Sequence, residues 1–211
     1  WNETVANRSV LKPESWDLIL SPMILNSGQD YPYGFGWFIN EIAGQLVHQH
    51  GGSWQGFITQ YTRVDNDDLA VVSLSNSRNL ALTGMVNEVA SLFNPALEPS
   101  PLPSVPIDDP DPVSTEYVAN ILTKVADGEL ELDDFAFLRQ TLFPRIRAAL
   151  TSTLQGLGSP NRLELLSRQQ VGDDQVLQYW AWYDEQRFRV RVSLGPRGGL
   201  TALRVTPEEP Q

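Results

Sequence analysis

The sequence predicts an α+β fold: an antiparallel sheet with a covering helix in the first half, and a second small α+β domain after it. Three observations carry this. From Tyr33 to Ser75, short β-branched and aromatic runs follow one another with turn residues between them, and an apolar run of helical spacing comes only afterwards. The stretch NPALEPSPLPSVPIDDPDP (94–112) is dense in proline and has no hydrophobic period. Beyond it the order reverses, helices first and strands last.

Taken in order, SVLKPESWDLILSP predicts a turn and a short helix from Pro13, ended at the Ser21-Pro22 step. YGFGWFI (33–39), QLVHQH, FITQYTRV and LAVVSLS predict four strands, the last two joined by the polar loop Asp65–Asp68. LTGMVNEVASLF then places Leu82, Met85, Val86, Val89, Leu92 and Phe93 near helical spacing, so a helix should lie on one face of the sheet. Proline fixes φ and removes a backbone donor, so residues 95–112 are expected as a linker between a domain at 1–94 and another at 113–211. In the latter, STEYVANILTKVADG and DDFAFLRQTLFPRIRAALTSTLQGLG predict helices with stops at Gly128 and Gly156/Gly158 and an interruption at Pro144. Four strands follow: LELLSRQQ, QVLQYWAWYD, RFRVRVSL and LTALRVTP. In the third, Arg187, Arg189 and Arg191 alternate with Phe188, Val190 and Val192, which predicts a charged outer face over a core face. Such a row is expected to be solvated and paired with nearby acids; anion binding is the sharper alternative.

Composition excludes several functions. At 211 residues and a net charge of -11, the chain can bury a sizeable core but offers no clustered basic surface for nucleic acid or an anionic membrane. It has no cysteine, hence no disulfide or thiolate metal site, and no apolar run long enough to span a bilayer.

Both histidines fall in VHQHGGSWQGF (47–57). Residues two apart on a strand point the same way, so His48 and His50 fit a metal pair, but a third ligand of the usual kind is missing. A phosphate loop would need the Walker lysine or GxGxxG spacing, and a helix where this stretch leads into a strand. A glycine-rich bend with exposed or hydrogen-bonded histidines also fits.

Together with LKPESWDLILSPM, YGFGWFI and LAVVSLSNS, this stretch resembles the C-terminal part of the serine β-lactamase and penicillin-binding-protein-like hydrolases. The likeness covers residues 1–94 in order. That family includes class C β-lactamases, D-alanyl-D-alanine carboxypeptidases and esterases. The resemblance implies a partial β-lactamase-like sandwich, no metal or other cofactor, and a small acyl, peptide or lactam substrate. It puts His50, Gly51 and Gly52 in the third active-site box, on a strand bordering the cleft, with the backbone N–H of Ser53 as one oxyanion-hole donor. On this reading His50, Gly52 and Ser53 are catalytic, and Gly51 and Trp54 contact substrate. Glycines let an extended acyl or peptide chain approach the strand. A histidine where many relatives carry lysine supplies only part of a cation's field near neutral pH, which suits esterase- or peptidase-like members at least as well as lactamases. Trp37 and Phe57 are expected in the core, whereas Trp54 divides between core and cleft. Asn76, a position the family often fills with asparagine, is expected in a strand-end turn.

The nucleophile is the missing part. The family's Ser-x-x-Lys needs one helical turn, and the sole literal match, Ser9 to Lys12, is followed by Pro13, which disfavours helical backbone at Lys12. No Tyr-x-Asn box follows it. The chain is therefore expected to be a C-terminal fragment of a serine hydrolase, inactive alone, with an N-terminal companion chain or a homo-oligomer covering its apolar surface. The parent protein is expected in the periplasm or outside the cell. The alternative is a non-catalytic binding or interaction protein. The second domain resembles the nuclear-transport-factor-two-like cone, mainly through LGSPNRLELLSRQ and GGLTALRVTPE, and that likeness assigns no activity.

Overall fold

The computed structural model describes residues 2–42, 44–65, 67–77, 81–98 and 100–208. Trp1, Asn66 of the polar loop, and residues 78–80 before the covering helix lie outside the described residues. The fold is α+β with antiparallel sheets, and the chain divides into two compact units, Trp1–Pro101 and Leu102–Gln211.

The first unit begins with α1 (Asn2–Ala6) and α2 (Pro13–Ile19). Proline occupies the first turn of α2, where its missing N–H costs nothing, and Lys12 before it is extended at φ -67, ψ 150. Ser9 and Lys12 therefore do not share a helical turn. A two-stranded ribbon, β1 (Met23–Ile24) and β2 (Asp30–Tyr31), leads into the main sheet.

YGFGWFI is a hairpin rather than the single strand expected. β3 (Tyr33–Gly34) and β4 (Trp37–Ile42) flank Phe35 and Gly36, whose φ values of 41 and 91 make a tight turn matched to strand twist. Gly34 cannot carry a side chain, because a Cβ there would collide with the Ser21 carbonyl. β5 (Gln45–Trp54), β6 (Phe57–Val64) and β7 (Leu69–Ser75) complete a five-stranded antiparallel sheet in sequence order, and α3 (Leu82–Phe93) follows. Asn76 stands at a bend just after β7.

Both faces of this sheet are partly covered. Val5, Trp16, Leu20, Trp37 and Ile39 form one cluster, and Val47, Val64, Ala90 and Leu97 form another. α3 buries Leu82, Val86 and Ala90, a spacing of four, but leaves Met85, Val89, Leu92 and Phe93 exposed. The apolar residues lie on a single side, as expected, but that side is broader than the part the sheet covers.

In the second unit α4 (Pro112–Asp127) starts on Asp111, whose side chain accepts from the Ser114 N–H, and stops at Gly128 in the left-handed region. α5 (Phe143–Leu154) follows a 3-10 turn and an irregular stretch. Pro144 lies in its first turn and so begins the helix; the expected interruption of a longer one does not occur. β8 (Arg162–Val171), β9 (Asp174–Tyr183), β10 (Gln186–Leu194) and β11 (Leu200–Pro207) form an antiparallel meander. Its inner face is packed solid by Leu165, Leu177, Tyr179, Val190 and Val192 against Val118, Ile121 and Leu122 of α4.

The proline-rich stretch is shared between the units. Pro95–Leu97 form a 3-10 turn that buries Leu97 in the first unit's core. From Leu102 the chain lies on the second unit's sheet: Trp180 Nε1 donates to the Ser104 carbonyl at 3.1 Å, and the Ile107 N–H to the Leu165 carbonyl at 2.8 Å.

Candidate functional site

β5 places all five candidate residues in a row. It runs straight through the glycines to Trp54, so Gly51–Trp54 are strand, and the bend falls at Gln55 and Gly56, with φ values of 44 and 97. Two consecutive positive φ values in a two-residue loop make Trp54 and Phe57 a hydrogen-bonded pair. Even-numbered residues of β5 then direct their N–H and C=O toward β6, as the bond from the Asp65 N–H to the Leu46 carbonyl also shows. Odd-numbered residues direct theirs toward β4.

That second edge is paired only as far as Gln49, which stands opposite Phe38; β4 turns away at Phe35 and Gly36. The main-chain groups of Gly51 and Ser53 therefore face a side of β5 where, among the described residues, no strand pairs with them. The central strand of the sheet becomes an edge for its last residues. An open edge flanked by aromatic side chains can take an extended ligand backbone.

His50 borders this edge. Its Nε2 is 3.2 Å from the Tyr33 hydroxyl, and its ring stacks on Phe38 with centroids 6.0 Å apart. The imidazole is exposed and held in place from the β3–β4 hairpin. His48 has another role: it is 1% exposed, and its Nε2 lies 3.3 Å from the Leu20 carbonyl. Its Nδ1 faces Asp65 at 3.5 Å. Among the described residues no cluster of three or more His, Asp or Glu is placed to hold a metal.

The glycines have a reason within the sheet. A Cβ on Gly52 would come within 2.6 Å of the Thr59 hydroxyl, and one on Gly51 within 3.0 Å of Gln60 Oε1. Gln60 is buried and accepts from Thr83 of α3 at 3.2 Å, so it has little freedom to yield. Cross-strand neighbours thus crowd positions 51 and 52, and a side chain there would have to displace the Thr59 hydroxyl or Gln60.

Trp54 is 74% exposed at the hairpin tip, and Phe57 opposite it is 60% exposed. Phe57 is a correction, since it was expected in the core. It sits at the tip beyond the reach of both hydrophobic clusters. Trp37 is buried as expected and packs on Tyr61 with centroids 5.4 Å apart.

A polar cluster that the sequence reading missed holds the other end of the sheet. Arg63, 4% exposed, donates to Asp65 at 3.2 Å, to Asn2 at 2.9 Å and to Asp68 at 2.8 Å. Tyr61 donates to the same Asn2 oxygen at 2.8 Å, which ties α1 to the sheet. Arg63 is the sole charged residue within FITQYTRV, and a lone arginine in an apolar strand was the available signal.

Compared with protein-family models and with curated protein sequences, the chain matches none.

Proposed function

We propose that residues 1–94 are the C-terminal part of a serine acyl hydrolase domain of the β-lactamase and penicillin-binding-protein type, acting on a peptide, ester or lactam bond. The unpaired edge of β5 beside His50 carries this reading, because it combines the resemblance with a place for substrate. An extended acyl chain aligned along Gly51–Ser53 would bring its carbonyl to the Ser53 N–H, which stabilises charge developing on that oxygen. His50, oriented by Tyr33, would donate to the substrate's polar group, and Trp54 would cover its apolar part. The serine nucleophile and its lysine would come from residues outside these 211, and the second unit would be an accessory domain.

The test is active-site labelling with a fluorophosphonate and a fluorescent penicillin. A longer product of the same reading frame is expected to be labelled at a serine upstream of Asn2, within Ser-x-x-Lys, while the 211-residue chain stays unlabelled. In that longer product Ser53→Pro, which deletes the donor, should lower kcat about 100- to 1,000-fold. A homogeneous 211-residue chain that hydrolyses esters unaided would overturn the fragment reading. An upstream frame without Ser-x-x-Lys and Tyr-x-Asn would favour a non-catalytic binding protein, for which the cavity described next is a second support.

A further inference from the structure

The outer face of the second unit's sheet gathers arginines that find few acids. Strand alternation puts Arg187, Arg189 and Arg191 of β10 there, and pairing brings Arg204 of β11 directly opposite Arg191. Like charges directly opposite each other weaken a sheet, and here they do so in a chain whose net charge is -11. Arg187 is accounted for: it lies over Trp180 and Trp182 and is 3.9 Å from Glu208. Arg189 is positioned by neutral groups, lying 4.1 Å from the Trp180 ring centroid and donating to the Pro103 carbonyl at 2.6 Å. Among the described residues Arg189, Arg191 and Arg204 have no carboxylate within ion-pair distance.

The three line one cavity of about 340 Å³, together with Gln178, Thr206, Leu102 and Glu208. The proline-rich segment builds its wall, since the Arg189 and Trp180 bonds to the Pro103 and Ser104 carbonyls fix that segment on the sheet and set Leu102 beside the arginines. The space is at the lower end of small-ligand pockets. Its polar lining is net cationic, three arginines against Glu208, and its apolar lining is Leu102 and the methylene stems of arginine.

We propose that this cavity binds a small carboxylic acid with an apolar body, its carboxylate between Arg191 and Arg204 and its hydrocarbon part against Leu102. Guanidinium forks match a carboxylate bidentately. Glu208, which shares the lining and lies 3.9 Å from Arg187, disfavours a dianion. The inference is independent of the hydrolase reading, because every group it uses lies in the second unit.

Isothermal titration of the whole chain with 3-phenylpropionate, 3-phenylpropanamide and inorganic phosphate tests it. The acid is expected to bind at least about tenfold more tightly than the neutral amide, given the strength of charge-assisted pairs. It should also bind more tightly than phosphate. Arg191→Gln and Arg204→Gln should each weaken the acid about tenfold or more. Arg197→Gln, an exposed arginine outside the cavity, should leave it unchanged. Far-UV circular dichroism establishes that each variant is folded. Equal affinity for acid and amide, no binding at about 10 mM acid, or full affinity in the folded Arg191 and Arg204 variants overturns the proposal. Tighter binding of phosphate overturns the carboxylate assignment.

Discussion

The imidazole Nδ1 of His48 lies 3.5 Å from the Asp65 carboxylate, which takes the Arg63 Nε–H at 3.2 Å on its other oxygen. Burial pushes the Asp65 carboxyl up, but the His48 imidazole and the Arg63 guanidinium outweigh it and hold the group below the usual carboxylate range. A depressed folded-state pKa means stability that is fully present above the unfolded value, 3.8, and is lost as pH falls through the folded one. Asp65→Asn removes the charge facing both partners and should cost about 1–3 kcal/mol at pH 7. Urea unfolding of both proteins checks this, with the gap between them narrowing as the pH is taken below 3.8. An equal midpoint at pH 7 would show that Arg63 is satisfied without Asp65.

Acid should also loosen the start of α4. The Asp111 carboxylate accepts from the Ser114 hydroxyl at 2.6 Å, the Arg168 guanidinium at 2.8 Å and the Ser114 N–H at 3.3 Å. These donors bring its pKa down to about 2 from 3.8. The sign is again that of a depressed carboxylate: its contribution is complete above pH 3.8 and disappears as pH falls toward 2. Asp111→Ala should lower the thermal midpoint at neutral pH, and Asp111→Asn, which keeps an acceptor at the helix start, should lower it less. Titration of the Asp111 carboxyl by NMR checks the value directly.

Tyr183 runs the other way. Its side chain is 4% exposed, its hydroxyl has no hydrogen-bond partner among the described residues, and burial pushes the phenol well above its ordinary range. A raised pKa gives stability that is present below the unfolded value, 10.0, and is lost as pH rises through the folded one. Tyr183→Phe keeps the edge-on contact with Phe188 and removes an unpaired hydroxyl, so it should be neutral or stabilising by up to about 1 kcal/mol. It should also hold its stability above pH 10, where the wild type declines. Marked loss of stability in Tyr183→Phe at pH 8 would reveal a bond that the hydroxyl makes.

Strand identity was readable wherever alternation met turn residues. All four strands of the second unit, and β6 and β7 of the first, fall where the apolar and polar residues alternate or cluster between turns. The errors share a cause: a tight turn with positive φ looks like strand when its residues are aromatic and glycine, as in Phe35-Gly36. The glycines of HGGSW left a bend open as an alternative to the strand; they are strand, and Gln55 and Gly56 make the bend. The candidate site was readable as a list of residues but not as a geometry. Which edge of β5 is left open depends on where β4 ends, and that is a property of pairing rather than of any one segment. Arg63 shows the same limit, since its partners Asn2, Asp65 and Asp68 come from both ends of the unit.

The uncovered flank of α3's apolar side gives the last prediction. Met85, Val89 and Leu92 are four and three residues apart and form a stripe, with Leu92 81% and Phe93 next to it 72% exposed. A surface helix normally turns polar residues outward, and burying a large apolar side chain is favourable by about 1.5–3 kcal/mol. In a purified sample of this chain a second copy is the partner able to cover the stripe, and matching stripes across a twofold axis meet their own kind. Sedimentation equilibrium should show a weight-average mass that rises above the monomer value with concentration. Val89→Glu combined with Leu92→Lys should hold the chain at monomer mass; because both sites are solvent-exposed, unfolding midpoints should move by no more than about 0.5 kcal/mol each. Wild-type chain that stays monomeric at high concentration would show that the stripe is tolerated in water.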